Sequence, residues 1–544
     1  MALLLLGALA LGAFSLYLAR HRIYQVDEAQ YVTMARIIAM HETASFFTSS
    51  PFYLLVLAPL SRLSDRSADL FHLFRLVTLA LFWANLLLLV RATGARLRTR
   101  EGLATLAFAA TLSPLWTYGL EFRHDNILLS GLLLIWILMR PSGRVVPGAY
   151  FWMGLIAVGL QLSLFKAFAY WVPLTLAALA LPHPAFRRPR LLLVLQWGVG
   201  AAASFGLYHI LRAAWRIEDL VLPAFSSGLA IVQTTNRFSP WPALERLPVQ
   251  TPLLFIAAIV ALGLAVWLFV RKGLADDQAR TSYATAALLA GSLGVLFVNP
   301  TPFPYNLLLV IPPAVIAVSA ALRERLLALW EKGRHRSLFA ALAIVQLAAF
   351  GIQARTLLKA TNGRQEELMA LAERVTDPKR DTVFDLAGLV PSRPSITYIW
   401  FVNLTNFQSF QKDPALIERP APVVIPNYRV GYLSKEQHEF LSRNYRALAN
   451  DFLVLGADLP PGGGLWLCRH PGRYALGAEG SRSSFRVDGV PLEAGVYAFA
   501  AGTHRIEGDA GATPFVFWVG PPSLEPVRIG PGDLSRVFPI PGDF

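Results

Sequence analysis

Two neighbouring carboxylates, Asp27 and Glu28, stand in the stretch YQVDEAQYVTMARIIAM just after an apolar run, with Tyr31 one turn later. Arg123, His124 and Asp125 make the short polar turn of EFRHDNILLS, Lys166 interrupts LSLFKAFAY, and Tyr305 with Asn306 closes NPTPFPYN. A carboxylate can take a proton from a hydroxyl, which is general-base work. Arg and Lys can hold a phosphate and stabilise the charge that grows on it, Arg by a forked contact. Such groups beside hydrocarbon are costly unless they reach an interface, a partner or water. Successive side chains on a helix diverge by about 100°, so Asp27 and Glu28 cannot both face one pocket. One of the pair is expected to meet substrate and the other to order the structure.

Each of these residues also has a plain reading. Asp27–Glu28 can be a solvated helix start, with the following residues forming an amphipathic helix at the interface. The Arg123–Asp125 turn can satisfy itself by an internal ion pair, and Lys166 can extend its amine to the headgroups. Their joint placement favours chemistry, because all of them fall at one face of the membrane by the topology below. The loops at the other face hold almost only Arg, Lys and turn residues.

The elements that must position these side chains are membrane helices. Of 544 residues, 55% are hydrophobic and 15% charged, well below the quarter usual in soluble domains. Apolar blocks are expected at 2–19, 72–90, 102–119, 126–140, 148–164, 168–182, 191–211, 252–270, 281–298, 306–322 and 337–355, each near the length that crosses about 30 Å of hydrocarbon. The pair 148–164 and 168–182 turns at Lys166, since one helix over both would be too long to cross once. Met1 to Ala19 reads as a first helix that is kept rather than a cleaved signal.

Every second loop is basic: Arg91, Arg96, Arg98 and Arg100; Arg140 and Arg144; Arg187, Arg188 and Arg190; Arg271 and Lys272; Arg323, Arg325, Lys332, Arg334 and Arg336. The positive-inside rule puts these in the cytoplasm and the polar cluster, with the C-terminal tail, outside. Arg20, His21 and Arg22 break the pattern. The net charge of +14 is thereby spent on topology, which argues against a nucleic-acid partner. With Cys468 as the only cysteine, neither an intrachain disulfide nor a cysteine metal site can form.

Beyond residue 356 the chain becomes broken and Pro/Gly-rich, with short runs such as DTVFDL, DFLVLG, SFRVDGV and GVYAFAAGTHRIEG that suggest strands. SKEQHEFLSRNYRALA reads as a helix capped by Ser434. The expected organisation is a helical membrane domain over 1–355, an α/β domain over 356–470 and a small β-sandwich-like domain over 471–544. Gly462 to Gly464 reads as a turn, because no helix follows to make a phosphate loop.

At these residues the chain resembles the GT-C glycosyltransferases, particularly bacterial relatives of the protein O-mannosyltransferases and of the lipid A aminoarabinose transferase. Four segments carry the likeness: DEAQYVTMARIIA, SSPFYLLVLAPLSRLSD, EFRHDNILLSGLLLIWILM and LSLFKAFAYWVP. The resemblance implies a polytopic fold of about eleven membrane helices in the bacterial cytoplasmic membrane, with an extracytoplasmic C-terminal domain. It implies transfer of a sugar from a polyprenyl-phosphate donor to a hydroxyl on a glycan, lipid or protein. It places the general base or acceptor-positioning group on Asp27 and the phosphate contacts on Arg123 and Lys166. NPTPFPYNLLLVIPP keeps the Tyr and prolines of a late family segment but lacks its basic residue. No cofactor is required by the sequence; a divalent metal serves some branches of the fold. The competing readings are a transporter or flippase of a lipid-linked substrate, which would put ionisable groups near the midplane, and an inactive relative serving as a scaffold.

Overall fold

The computed structural model describes residues 2–40, 51–140, 148–181, 190–218, 238–273, 276–299, 301–331, 336–397, 410–449, 451–478, 484–509 and 511–520. Arg144, Arg187, Arg188, Lys332, Arg334, much of the long 213–251 loop and the chain after 520 lie outside them. The first two-thirds is helical: α1 (Ala2–His21), α2 (Val26–Ala39), α3 (Pro51–Leu57), α4 (Ser67–Ala92), α5 (Arg100–Ala109), α6 (Ser113–Gly119), α7 (His124–Met139), α8 (Ala149–Ser163), α9 (Ala167–Ala180) and α10 (Arg190–Ala214). Two short helical turns precede α11 (Pro252–Lys272), α12 (Asp277–Val298), α13 (Ile311–Glu331) and α14 (Arg336–Lys359). Among the described residues six helical segments are long and apolar enough to cross a membrane, and shorter apolar helices, α7, α8 and α9 among them, accompany them. The chain is therefore a mainly α-helical, multi-pass membrane protein with a C-terminal α/β portion.

The expected turn at Lys166 is present, with Lys166 at the N-terminal cap of α9. The expected span 102–119 is instead two helices, α5 and α6, that meet at Ala110–Leu112. Pro114, in the first turn of α6, has no N–H to continue a helix from the preceding turn. Helix α2 is not a surface helix with one wet face. Val26, Ala29, Val32, Ala35, Ile38 and Thr33 are all buried, because α3 and α4 cover one side and the C-terminal domain the other.

Close helix packing rests on small residues where α8 crosses α10. A Cβ at Gly154 would collide with the Trp197 carbonyl, and one at Gly200 with the Phe151 carbonyl. Gly154→Val or Gly200→Val should destabilise the bundle by about 1–3 kcal/mol, read as loss of monodisperse protein on heating. Gly198→Ala, which meets nothing within 4 Å, should be neutral in the same assay.

After α15 (Gly363–Val375) come the strands. A seven-stranded sheet runs in the order β1 (Val383–Phe384), β2 (Val423–Val424), β4 (Phe452–Asp458), β11 (Pro514–Trp518), β6 (Gly472–Ala478), β9 (Gly495–Phe499), with β3 (Tyr445–Ala449) also pairing β4. A four-stranded sheet has the order β5 (Gly463–Cys468), β10 (Gly502–Gly508), β7 (Ser484–Val487), β8 (Val490–Glu493). Trp466, Tyr474, Phe499 and Trp518 pack ring against ring between them, with Trp466 and Tyr474 centroids 4.9 Å apart. Because β11 pairs with both β4 and β6, one sheet runs across residue 470.

The helix expected from Ser434 to Ala449 ends at Asn444. The following YRALA turns extended and joins β4, and the Tyr445 hydroxyl donates to the Ala421 carbonyl at 2.7 Å. Sheet pairing there overrides local helix preference. Gly462 and Gly463 have positive φ and lead into a strand, in keeping with a turn.

Candidate functional site

The C-terminal domain is laced to the segment that carries Asp27. The Ile23 amide donates to the Ala360 carbonyl at 2.9 Å, and the Tyr24 amide to Gln365 Oε1 at 2.7 Å. Gln365 returns a bond to the Tyr24 carbonyl, and Thr33 Oγ1 donates to the Gly388 carbonyl at 2.8 Å. Gln30, with its amide oxygen turned to Arg429, accepts from both guanidinium tips at 2.6 and 2.9 Å. The start of α2 is thus fixed from both sides.

Glu28 is the inner anchor of that fixation. It is fully buried, accepts from the Gln25 amide at 2.8 Å and the Phe122 amide at 2.9 Å, and takes a fork from Arg75 at 2.9 and 2.6 Å. Burial opposes its charge, but Arg75 and the two amides prevail and hold its carboxyl below the ordinary carboxylate range. Arg75 also donates to the Arg22 and Ile23 carbonyls at 2.5 and 2.8 Å, so one guanidinium holds the chain before α2 and, through Glu28, α2 itself, while Glu28 ties in the turn at Phe122.

Asp27 points elsewhere, as the helical angle requires. Its side chain keeps 31% of its exposure and meets Arg123 Nη1 at 2.5 Å. Arg123 caps α7 in extended backbone, reaches Asp125 through Nε at 3.2 Å, and stacks its guanidinium 3.6 Å from the Tyr305 ring centre. Lys166 pairs with Asp125, lies 3.5 Å from Asn306 Oδ1, and sits 5.1 Å from the same ring. His124 Nε2 is 3.7 Å from Asp125, and its ring meets Tyr31 edge-on at 5.0 Å. Asp27, Tyr31, Arg123, His124, Asp125, Lys166 and Tyr305 are therefore brought together, and Glu28 stands behind them, fully buried.

Several members of this network escape a reading of the sequence. Arg75 is a lone cation inside a long apolar helix, a pattern that marks an internal partner. Arg22 is not a loop charge but a buried one: it donates to the Thr117 carbonyl at 2.5 Å and to Glu121 at 2.8 Å. That removes it from the count of topological charges that it seemed to contradict. Burial pushes the Glu121 carboxyl up to about 7, against the pull of Arg22 and Arg123. Arg246 approaches the Tyr118 hydroxyl at 3.4 Å.

Arg22, Arg75, Arg123 and Lys166 balance Asp27, Glu28, Glu121 and Asp125 across the ion pairs of this cluster. Protonation of Glu121 would tip the balance to net positive and favour an anion. Among the described residues no His, Cys, Asp or Glu side chains gather in a set that could hold a metal ion. The site's carboxylates are each engaged by Arg or Lys, so this donor set does not suit a cation.

No protein-family model matches the chain, and no curated protein matches its sequence. Solved structures do match in fold. ArnT from Cupriavidus metallidurans bound to undecaprenyl phosphate superposes with a TM-score of 0.54 at 14% identity, covering 84% of this chain and 97% of ArnT. The chain has the GT-C fold. The apo state of the same ArnT covers the same shares at a TM-score of 0.41. With 84% of the 544 residues covered, the likeness extends past the helices into part of the C-terminal portion.

Proposed function

We propose that the chain is a glycosyltransferase of the bacterial inner membrane that moves a sugar from a polyprenyl-phosphate donor to an acceptor hydroxyl at the outer face. The observation that supports it most is Arg123, held between Asp27 and Asp125 on the face of Tyr305, with Lys166 alongside. A base and two phosphate-binding cations thus lie within one cluster, at the end of an apolar bundle that the C-terminal domain adjoins. That the relative of like fold binds undecaprenyl phosphate adds the class of donor.

In this reading the acceptor hydroxyl approaches Asp27, which takes its proton as the oxygen attacks the anomeric carbon. The bond from that carbon to the phosphate oxygen breaks, and the electron pair leaves with the polyprenyl phosphate. Arg123 and Lys166 stabilise the charge this leaves on the phosphate, more strongly in a site shielded from water. Arg123 has five N–H donors in a fork, so it can keep Asp125 while turning another donor to phosphate. Glu28, Arg75 and Gln25 keep the start of α2 in place and touch no substrate. Tyr31, His124 and Tyr305 shape the wall.

The test is the pool of polyprenyl-phosphate sugars, measured by mass spectrometry in cells lacking the protein. One lipid-linked sugar should accumulate at least severalfold and fall again when the gene is restored. An unchanged pool, together with a lipid-linked sugar trapped on the cytoplasmic side, would favour transport instead.

A further inference from the structure

Lys166 and Tyr170 lie four residues apart at the start of α9 and therefore on one face of that helix. Tyr170 is 2% exposed, and among the described residues its hydroxyl has no hydrogen-bond partner. Lys166 pairs with Asp125, so one turn of α9 joins Tyr170 to the ionic cluster. Tyr170 also lines a small cavity between α7, α9, α12 and α13, together with Leu133, Trp136, Pro173, Ser292 and Pro313. The walls of that cavity are built closely: Gly291 of α12 has no room for a Cβ because Pro173 fills the space.

A buried hydroxyl without a partner costs about 1–3 kcal/mol, and a phenylalanine would fill the same volume without that cost. Among the described residues no protein group takes up that oxygen, which leaves it open to a ligand. Helix α9 runs from Lys166 away from the end where Asp27 and the C-terminal domain meet, so Tyr170 lies roughly 6 Å farther toward the lipid side. In the donor reading above, a phosphate held by Lys166 lies within one helical turn of Tyr170, on the same face of α9. An isoprenoid chain accepts no hydrogen bond, so the group within reach of Tyr170 is the phosphate.

We propose that Tyr170 is a donor-binding residue whose hydroxyl donates to a phosphate oxygen from the lipid side, opposite Lys166. This rests on the donor reading above and adds a contact to it. The pair then sets how deep the phosphate sits, and hence where the anomeric carbon stands relative to Asp27.

The test uses the purified full chain in nanodiscs, with undecaprenyl phosphate as the probe and undecaprenol as its uncharged control. Wild type should prefer the phosphate. Tyr170→Phe should lose about tenfold or more of affinity for undecaprenyl phosphate, the scale of a hydrogen bond to a charged group, and bind undecaprenol unchanged. Its ligand-free melting temperature should equal or exceed that of wild type, since the substitution removes only an unpaired hydroxyl. Equal phosphate affinity in Tyr170→Phe, or a lower ligand-free melting temperature, overturns the proposal; the second result would mean that the hydroxyl is paired within the protein. Lys166→Met separates the two claims. If it loses phosphate affinity and Tyr170→Phe does not, only the role of Tyr170 falls. If neither variant loses affinity, or wild type does not prefer the phosphate, the donor reading falls with it.

Discussion

Asp27→Asn should lower the rate of sugar transfer about 10²–10⁴-fold while leaving donor binding near wild type. That range is what a positioned general base contributes, and Asn keeps the shape while giving up the proton acceptor. Folded yield should hardly change, because the Asp27 side chain keeps 31% of its exposure and its pair with Arg123 is partly solvated. Arg123 also retains Asp125 and its stack on Tyr305. The measurement is kcat and KM with a defined polyprenyl-phosphate sugar, at matched protein levels, beside the melting temperature. A fall in kcat alone identifies the base. A rise in KM with kcat intact would mean that Asp27 serves only to aim Arg123. Activity within tenfold of wild type would remove Asp27 from the chemistry altogether.

The membrane spans could be read from the sequence because hydrocarbon imposes a length and a polarity on each of them, and most boundaries fall within a few residues of those expected. The break between α5 and α6 was not visible in hydropathy, which sums side chains and does not see that Pro114 lacks a backbone donor. In the tail, strands with clear alternation such as SFRV were legible, whereas YRALA looks helical until β4 supplies its partner. The site divides in the same way. Asp27, Arg123, Asp125 and Lys166 were legible because charges at the edge of apolar runs need a reason. Glu121 and Arg22 were not, because a loop charge and a buried loop charge have the same sequence. Arg75 did carry a signal, one cation amid LFHLFRLVTLALFW, but its partner lies 47 residues away on another helix. Only the fold joins them.

That join sets the largest effect on stability. Arg75→Met leaves Glu28 charged and buried, with two amides as its remaining partners, and removing one member of a buried pair costs about 3–5 kcal/mol. Against a total of roughly 5–15 kcal/mol, most of the protein should fail to accumulate in folded form. Arg75→Lys should not rescue it, since an ammonium cannot reproduce the fork to Glu28 while also serving the Arg22 and Ile23 carbonyls. Combining Arg75→Met with Glu28→Leu should recover folded protein beyond either single variant, because no buried charge is then left unmatched. The pair also has a pH signature. Glu28 is held below its ordinary value of 4.5, so as pH falls the unfolded chain takes up its proton first. Its contribution is complete above that value and fades below it; the double variant should lose this part of the acid sensitivity. Activity should still not return in full, since without the fork the start of α2 is free to shift and Asp27 moves with it. Single variants as stable as wild type would show that the amides alone suffice for Glu28. A double variant with wild-type turnover would show that the placement of Asp27 depends instead on the Gln30–Arg429 and Thr33–Gly388 contacts from the C-terminal domain.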